Sequence, residues 1–452
     1  MNDYDLIIIG GGPAGISCAT NAYKNGVKNI LLLERREYTG GILNQCIHDG
    51  FGLLSKGKSL TGPEFALSLE EELKTTDVQV ETGAYVCGVN YDNTPYEVTY
   101  ISNKSELISC SAKSIVLATG CRERPYGSLK IPGTRPSGIF SAGSAQYMMN
   151  VQNILPGRNV VVLGLGDIGM IMARRLKTEG AHVKMILGLE MTGLKRNFKN
   201  CVEDLHIPYK ENHTIVSVHG HKRLKGVTIA PLDENRNPVL DESNYISCDT
   251  LLVAAGLIPE DDLAPLDNKE GVFLCGNVHK IFSLVDHVTE EGVLTALKAA
   301  SYINGNTPEL NAKLKIYEDA LLINNTDDYV VSDTDHIICT GCPKECNLCI
   351  KEDNNGNISV TGNNCPIGEK FALSLKDRPE AILTTTVKVK NKDFSLLPVR
   401  STKPVPVNCF KDIMKVIKNT EVDSNTANNT VLFENICNTK ADIIVTNKGN
   451  II

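Results

Sequence analysis

Two glycine-rich loops set the limits on what this chain can fold into. The first is Gly10-Gly11-Gly12-Pro13-Ala14-Gly15, and the second is Gly164-Leu165-Gly166-Asp167-Ile168-Gly169. Each follows an apolar run, Tyr4 to Ile9 in one case and Asn159 to Leu163 in the other. A buried parallel strand running into such a loop and then a helix is a mononucleotide-binding unit. Its first glycine allows the tight turn, its second lets backbone approach a pyrophosphate, and its third lets helix pack on strand. Two units in one chain imply two bound dinucleotides.

The first unit is the more complete. A helix is expected from about residue 13 to 25, with its free N–H groups and positive dipole end toward the phosphates. A second strand, 29–33, ends at Glu34, about 20 residues after the loop, where a carboxylate accepts from a ribose hydroxyl. Gly10, Gly12, Ala14, Gly15 and Glu34 are therefore the candidate binding residues. A run of short strands from Val78 to Cys110 follows, and then Ser114 to Leu117 leads into Ala118-Thr119-Gly120. In the second unit Gly164, Gly166, Asp167 and Gly169 are the candidates, on a helix expected over 168–179. The strand 181–187 ends at Gly188, and Glu190 comes two residues later. Lys195 and Arg196 lie further on. The ribose acid is out of place, so the choice between NAD(H) and NADP(H) stays open and leans to NADH.

These elements resemble the flavoprotein family that includes thioredoxin reductase and nitrite-reductase-type NADH oxidoreductases. The resemblance implies FAD in the first fold and a nicotinamide coenzyme in the second. It implies that Ala118-Thr119-Gly120 sits beside the flavin and that a late Gly-Asp element, here Gly276-Asn277, holds the ribityl chain. A last helix, about 286–303, would aim its N-terminus at the flavin. The stretch Glu260 to Glu270 is short for the family, which would weaken flavin retention or reshape the domain junction.

Disulfide reductases need two thiols within reach of each other. In the stretch Gly40 to His48 after the ribose acid only Cys46 occurs, close to His48, and only Cys201 and Cys248 fall between Gly138 and Asp249. A dithiol reductase is disfavoured. Cys46 is the single thiol candidate for catalysis, against the plainer reading of a buried, inert cysteine.

Beyond residue 335 the chain changes character. Cys339, Cys342, Cys346 and Cys349 crowd into one stretch, and Cys365 follows in a Cys-Pro turn. Closely spaced thiolates suit a [4Fe–4S] cluster or structural zinc. The preferred ligand set is Cys339, Cys342, Cys346 and Cys365, with Cys349 as the alternative ligand, a [4Fe–4S] cluster as the expected centre and zinc as the alternative. Leu383-Thr384-Thr385-Thr386-Val387 and Leu397-Pro398-Val399-Arg400 complete a resemblance to a small cysteine-bearing family of unassigned function. That family usually stands alone, encoded beside such a flavoprotein and a glycerol-3-phosphate dehydrogenase. The resemblance implies electron exchange between NAD(P)H and a partner redox protein, with that dehydrogenase a candidate partner. Two alternatives remain open: an NAD(P)H oxidase or reductase with a zinc-stiffened tail, and a non-catalytic scaffold.

The expected fold class is α/β. It comprises two Rossmann-like domains and a small α+β cysteine-rich domain, divided as 1–125 and 268–305 for FAD, 126–267 for NAD(P), 306–335 as linker and 336–452 as the cysteine domain. Net charge is −7, which argues against nucleic acid or an anionic membrane as partner. No apolar run approaches the roughly 20 residues of a transmembrane helix. With 15 cysteines and no signal-like start, the expected location is the cytoplasm. Homo-oligomerisation is left open.

Overall fold

The computed structural model describes residues 2–103, 107–305, 307–323, 337–339, 344, 346–352, 358–374, 379–390 and 395–447. In chain order the elements that position the sites are β1 (Asn2–Ile9), α1 (Pro13–Lys24), β2 (Ile30–Glu34), β3 (Leu107–Leu117), β4 (Asn159–Leu163), α2 (Asp167–Thr178), β5 (His182–Leu187), β6 (Thr250–Val253), β7 (Val272–Leu274), α3 (Val285–Asn304) and α4 (Phe410–Lys418). The described residues fall into two units, one drawn from 1–122 and 257–329, the other from 123–256 and 330–452.

The first unit is a seven-stranded mixed sheet. β1 lies between β2 and β3, parallel to both, and β7 adds in parallel to the end of β3. β1 and β2 are fully apolar along their cores because helices cover one face and further side chains the other. Leu6, Ile7, Ile8, Leu31 and Leu32 have no exposed surface. Antiparallel strands Ala84–Asn90 and Tyr96–Ser102 extend the sheet beyond β3, within the run of short strands expected from Val78 to Cys110. α1 and α3 cross at close range. A Cβ on Gly292 would stand 2.7 Å from the Ala14 carbonyl oxygen and the Ser17 Cβ, so only glycine lets these helices meet. A helix Pro308–Ile323 follows; the predicted break at 324–328 lies outside the described residues.

In the second unit β4, β5 and β6 form the centre of a five-stranded parallel sheet. Its helix α2 begins one residue earlier than its predicted start, at Asp167. A three-stranded antiparallel sheet spans His213–Gly220, Leu224–Pro231 and Asn244–Ser247. The C-terminal segment builds a second five-stranded sheet, with Thr384–Val389 and Leu396–Ser401 at its centre. The amphipathic α4 buries Phe410, Ile413, Met414 and Ile417 in that sheet's core. Val407–Cys409 makes a tighter turn directly before it. Among the described residues no helix is long and apolar enough to cross a membrane.

Candidate dinucleotide sites and the cysteine module

The first glycine loop closes at the C-terminal ends of β1, β2 and β3. Gly10 N–H donates to Leu33 O at 2.8 Å, and Ala118 N–H donates to Ile9 O at 2.8 Å. Gly10 adopts φ +113°, open only to glycine at low cost. A Cβ on Gly15 would overlap the Gly10 carbonyl oxygen and stand 3.3 Å from Ala118 Cβ. A Cβ on Gly12 would meet no atom within 4 Å. That space is a cradle at the start of α1, where no side chain caps the helix and the free N–H groups face outward. Ala14 lies under Gly276, whose added Cβ would stand 2.7 Å from the Ala14 Cβ.

Glu34 is buried, and both its oxygens are already oriented. Oε2 accepts from Gly11 N–H at 2.8 Å and Oε1 from Arg36 N–H at 2.8 Å. Each oxygen keeps a lone pair for a ribose hydroxyl. Sequence reasoning missed Arg36. Its Nη1 is buried with no acceptor among the described residues. An orphaned guanidinium nitrogen two residues from the ribose acid is what a bound adenosine phosphate would satisfy. The cradle, the fixed carboxylate and the unmatched cation all fit FAD.

The other predicted flavin elements belong to the same unit. Gly120 has φ +77° and open space before it. Thr119 Oγ1 donates to Glu260 O at 2.6 Å, and Glu260 N–H donates to Gly120 O at 3.0 Å. Tyr91 and Tyr96 hydroxyls donate to the Leu263 and Glu270 carbonyls at 2.8 and 2.6 Å. The short 260–270 return is thus pinned to the sheet. Asn277 accepts from Phe282 N–H at 3.1 Å and donates to Cys121 Sγ at 3.5 Å, leaving one amide proton for a ligand hydroxyl. Buried Glu291 accepts from Gly276 N–H and pairs with His279 Nδ1, each at 2.5 Å. That hydrogen bond raises His279 above the ordinary imidazole value. At the start of α3, buried Asp286 accepts from Ser55 N–H at 2.9 Å and its hydroxyl at 2.6 Å.

Cys46 is 6% exposed and lies against Gly62, while His48 Nδ1 faces the Asp49 carbonyl at 3.2 Å. A thiol pair that spacing could not reveal is Cys18 with Cys275. Both are fully buried, and the hydrogen bond between them, with burial, pushes Cys18 well above the ordinary thiol range. Such a pair is inert packing.

The second fold repeats the closure of the first. Gly164 N–H donates to Leu187 O and Ala254 N–H to Leu163 O, each at 2.7 Å. A Cβ on Gly169 would overlap the Gly164 carbonyl oxygen. Gly166, at the uncapped start of α2, has only the Thr192 hydroxyl near its added Cβ, at 3.5 Å. Asp167, expected among the coenzyme-binding residues, turns its carboxylate toward the loop after β5. Its Oδ1 accepts from Leu194 N–H at 2.8 Å and Asn197 Nδ2 at 2.7 Å, so it anchors the loop after β5. Gly188 occupies the position that Glu34 holds in the first fold, and Glu190 is exposed. Cys201 and Cys248 are both buried, and burial pushes Cys248 up to about 12.

In the cysteine module, Cys339 and Cys346 are buried in one small core with Leu348 and Ala372, and Cys339 N–H donates to Cys346 O at 2.9 Å. Cys349 lies half-buried on the strand Asn347–Glu352. Cys365, also half-buried, directly precedes the helix Pro366–Ser374. Cys342 lies outside the described residues. Among the described residues no group of three or more His, Cys, Asp or Glu side chains is placed to hold a metal. The C-terminal sheet docks on α2 through Arg175. Its Nε donates to Asn150 Oδ1 at 2.8 Å, and its Nη groups donate to Thr385 and Thr386 hydroxyls at 3.2 and 3.3 Å. Glu179 pairs with Arg175 and, at 2.9 Å, with Lys418.

Comparison with known proteins agrees with this geometry. A family model described as pyridine nucleotide-disulphide oxidoreductase matches residues 4–291, and one described as a protein of unknown function (DUF1667) matches residues 366–447. The chain is 24% identical over 332 residues to thioredoxin reductase of Treponema pallidum, covering 67% of this chain and 98% of that one. It is 24% identical over 277 residues to hydrogen cyanide synthase subunit HcnB of Pseudomonas protegens, spanning 57% of each chain, little more than half the relative's length. Ferredoxin–NADP reductase of Picrophilus torridus is 23% identical over 314 residues, with 65% and 88% covered. Among solved structures, thioredoxin reductase of Lactococcus lactis superposes with a TM-score of 0.54 at 21% identity, covering 67% of this chain and all of that one.

Proposed function

Because the chain belongs to the pyridine nucleotide-disulphide oxidoreductase family, and is an FAD-dependent NAD(P)H oxidoreductase, we propose that it exchanges electrons between a nicotinamide coenzyme and a partner redox protein by way of its C-terminal cysteines. The observation that carries this reading is where thiols are and are not. In the nicotinamide fold only Cys201 and Cys248 occur, 3% exposed each and far apart in sequence, so no dithiol is offered there to a disulfide substrate. The cysteines of residues 339–365 are the remaining outlet.

Bound FAD supplies hydride exchange with the coenzyme, and a thiolate-held [4Fe–4S] cluster, or zinc as the alternative, supplies one-electron or structural chemistry. The protein's own groups do the positioning. Gly10, Gly12 and Gly15 bring backbone N–H groups to the pyrophosphate. Glu34 orients the ribose, and Arg36 offers its unmatched Nη1 to the adenosine end. Gly164, Gly166 and Gly169 do the same for the coenzyme. Cys339, Cys342, Cys346 and Cys365 would hold the centre, with Cys349 as the alternative ligand. The partner is a dehydrogenase or similar redox protein, glycerol-3-phosphate dehydrogenase among the candidates. The reading keeps the chain in a reducing compartment, the cytoplasm.

The test is anaerobic purification, a visible spectrum, then titration with NADH and NADPH. Flavin absorbance that bleaches on coenzyme addition is expected, together with a broad cluster band lost in Cys339→Ala. A colourless chain that FAD cannot reconstitute would overturn the flavoprotein reading. A Cys339→Ala variant with an unchanged spectrum and metal content would overturn the cysteine-held centre alone.

A further inference from the structure

The two nucleotide folds correspond at the strand ends that carry their glycine loops. Ile9 pairs with Leu33 and Leu163 with Leu187, so Gly11 corresponds to Leu165 and Glu34 to Gly188. At this matched pair the folds exchange side-chain volume. In the first, Gly11 must lack a side chain. A Cβ there would stand 3.0 Å from Glu34 Cβ and 3.1 Å from its Oε2. In the second, the missing side chain is on the other partner. A Cβ on Gly188 would stand 3.1 Å from Leu165 N, 3.4 Å from its Cγ and 3.5 Å from its Cβ. Leu165 is 2% exposed. The gap that a carboxylate fills in the first fold is filled in the second by an isobutyl group supplied from the loop.

We infer that Leu165 and Gly188 determine coenzyme specificity and make the second fold indifferent to the 2′ position of the adenosine ribose, so that NAD(H) and NADP(H) bind alike. This rests on the reading that the second fold takes the nicotinamide coenzyme. A carboxylate at the end of β5 would do two opposite things. It would accept from a free 2′-hydroxyl, and it would repel a 2′-phosphate. Leu165 does neither. Neither acid nearby is buried at a strand end as Glu34 is. Glu190 is exposed, and Glu211 Oε1 accepts from Met191 N–H at 3.0 Å. The cations nearby have partners within the protein, Arg196 through groups other than its buried Nε. Lys199 pairs with Asp204 at 2.7 Å, and Lys195 and Arg196 already interact with other groups of the protein.

The experiment is calorimetric titration of NAD⁺ and of NADP⁺ into the oxidised, FAD-loaded full chain. The two dissociation constants are expected to agree within about fivefold. The variant Leu165→Gly/Gly188→Glu rebuilds the first fold's arrangement, and it is expected to favour NAD⁺ over NADP⁺ by about tenfold to a hundredfold, the range of a charge-assisted hydrogen bond, with flavin content unchanged. Gly188→Glu alone crowds Leu165 and is expected to weaken both coenzymes. Wild-type discrimination beyond about thirtyfold in either direction would overturn the inference, and because that measurement needs no variant it stands even if the double variant fails to fold. A folded, flavin-bearing double variant with an unchanged ratio would also overturn it. Binding of neither coenzyme would overturn the nicotinamide reading along with it.

Discussion

Gly12 and Gly15 sit three residues apart in one loop, and alanine at the two positions should act in opposite ways. Gly12 has φ −79° and ψ −175°, extended backbone that alanine adopts freely. Its added Cβ meets nothing within 4 Å. Gly12→Ala gains about 0.4–1 kcal/mol by restricting the unfolded chain. It loses a comparable amount because alanine is a poorer N-cap residue than glycine. The net change in apoprotein stability is therefore within about 0.5 kcal/mol, roughly 2 °C in Tm for a unit this size. The methyl group nevertheless occupies the cradle, so FAD affinity should fall by tenfold or more, about 1.4 kcal/mol. Gly15→Ala drives its Cβ into the Gly10 carbonyl, 3.1 Å from that carbon and 3.3 Å from Ala118 Cβ, with only backbone and packed core to yield. Overpacking of this kind costs about 1–3 kcal/mol or more. The assay is thermal unfolding of deflavinated chains, followed by FAD titration monitored by flavin fluorescence. If Gly12→Ala melts as early as Gly15→Ala, the cradle is part of the fold and not a ligand site. If Gly12→Ala keeps full FAD affinity, no pyrophosphate lies there.

Four further outcomes follow from charged and thiol groups. Burial alone would raise the Glu179 carboxyl, but Arg175 and Lys418 outweigh it and hold it below the usual range. The stabilisation is present above the unfolded value near 4.5 and is lost as pH falls through the folded value, so Glu179→Gln should flatten the acid side of the stability curve. Arg175→Met, which leaves that carboxylate only Lys418 and removes the bonds to Asn150, Thr385 and Thr386, should cost about 3 kcal/mol in denaturant unfolding, and an unchanged midpoint would refute the docking role. His279 is raised by its hydrogen bond to Glu291, against the opposing pull of burial, so its contribution is full below about 6.5 and fades as pH rises through the folded value. His279→Gln should remove that slope from melts between about pH 5 and 8, and identical slopes would refute the pairing. Brief alkylation of the native chain should label the exposed Cys87 and Cys437 and spare Cys18 and Cys275, read by mass spectrometry.

The strands, loops and helix starts were legible because glycines mark turns and continuous apolar runs mark buried parallel strands. Glu34 ends β2, Ala118 to Gly120 directly follow β3, and Gly276 stands two residues after β7. What spacing could not carry was contact across distance in the chain. Cys18 meets Cys275, and Arg175 meets Thr385, only after the sheets form. Asp167 satisfies the fingerprint yet anchors a loop, because a residue at a helix start can turn its carboxylate either way. Arg36 carries no motif at all; only burial without a partner exposes it. The pinned 260–270 return likewise depends on Tyr91, Tyr96 and Thr119, none of them adjacent to it in sequence.

The exchange of Gly11 and Glu34 for Leu165 and Gly188 shows why a missing motif residue is not a blank. Interiors are packed like crystals, and a carboxylate withdrawn from a strand end leaves a hole that must be filled or collapse. Here the nearest backbone that could supply the volume is the middle residue of the glycine loop itself. A fingerprint that counts three glycines and leaves the middle position unspecified cannot see this, since glycine and leucine there score alike. Read with the strand end, the same position distinguishes a loop that leaves room for a ribose acceptor from one that has replaced it with hydrocarbon. The two folds keep their turns, their closures and their helix ends in common and part company only where an adenosine ribose would be read.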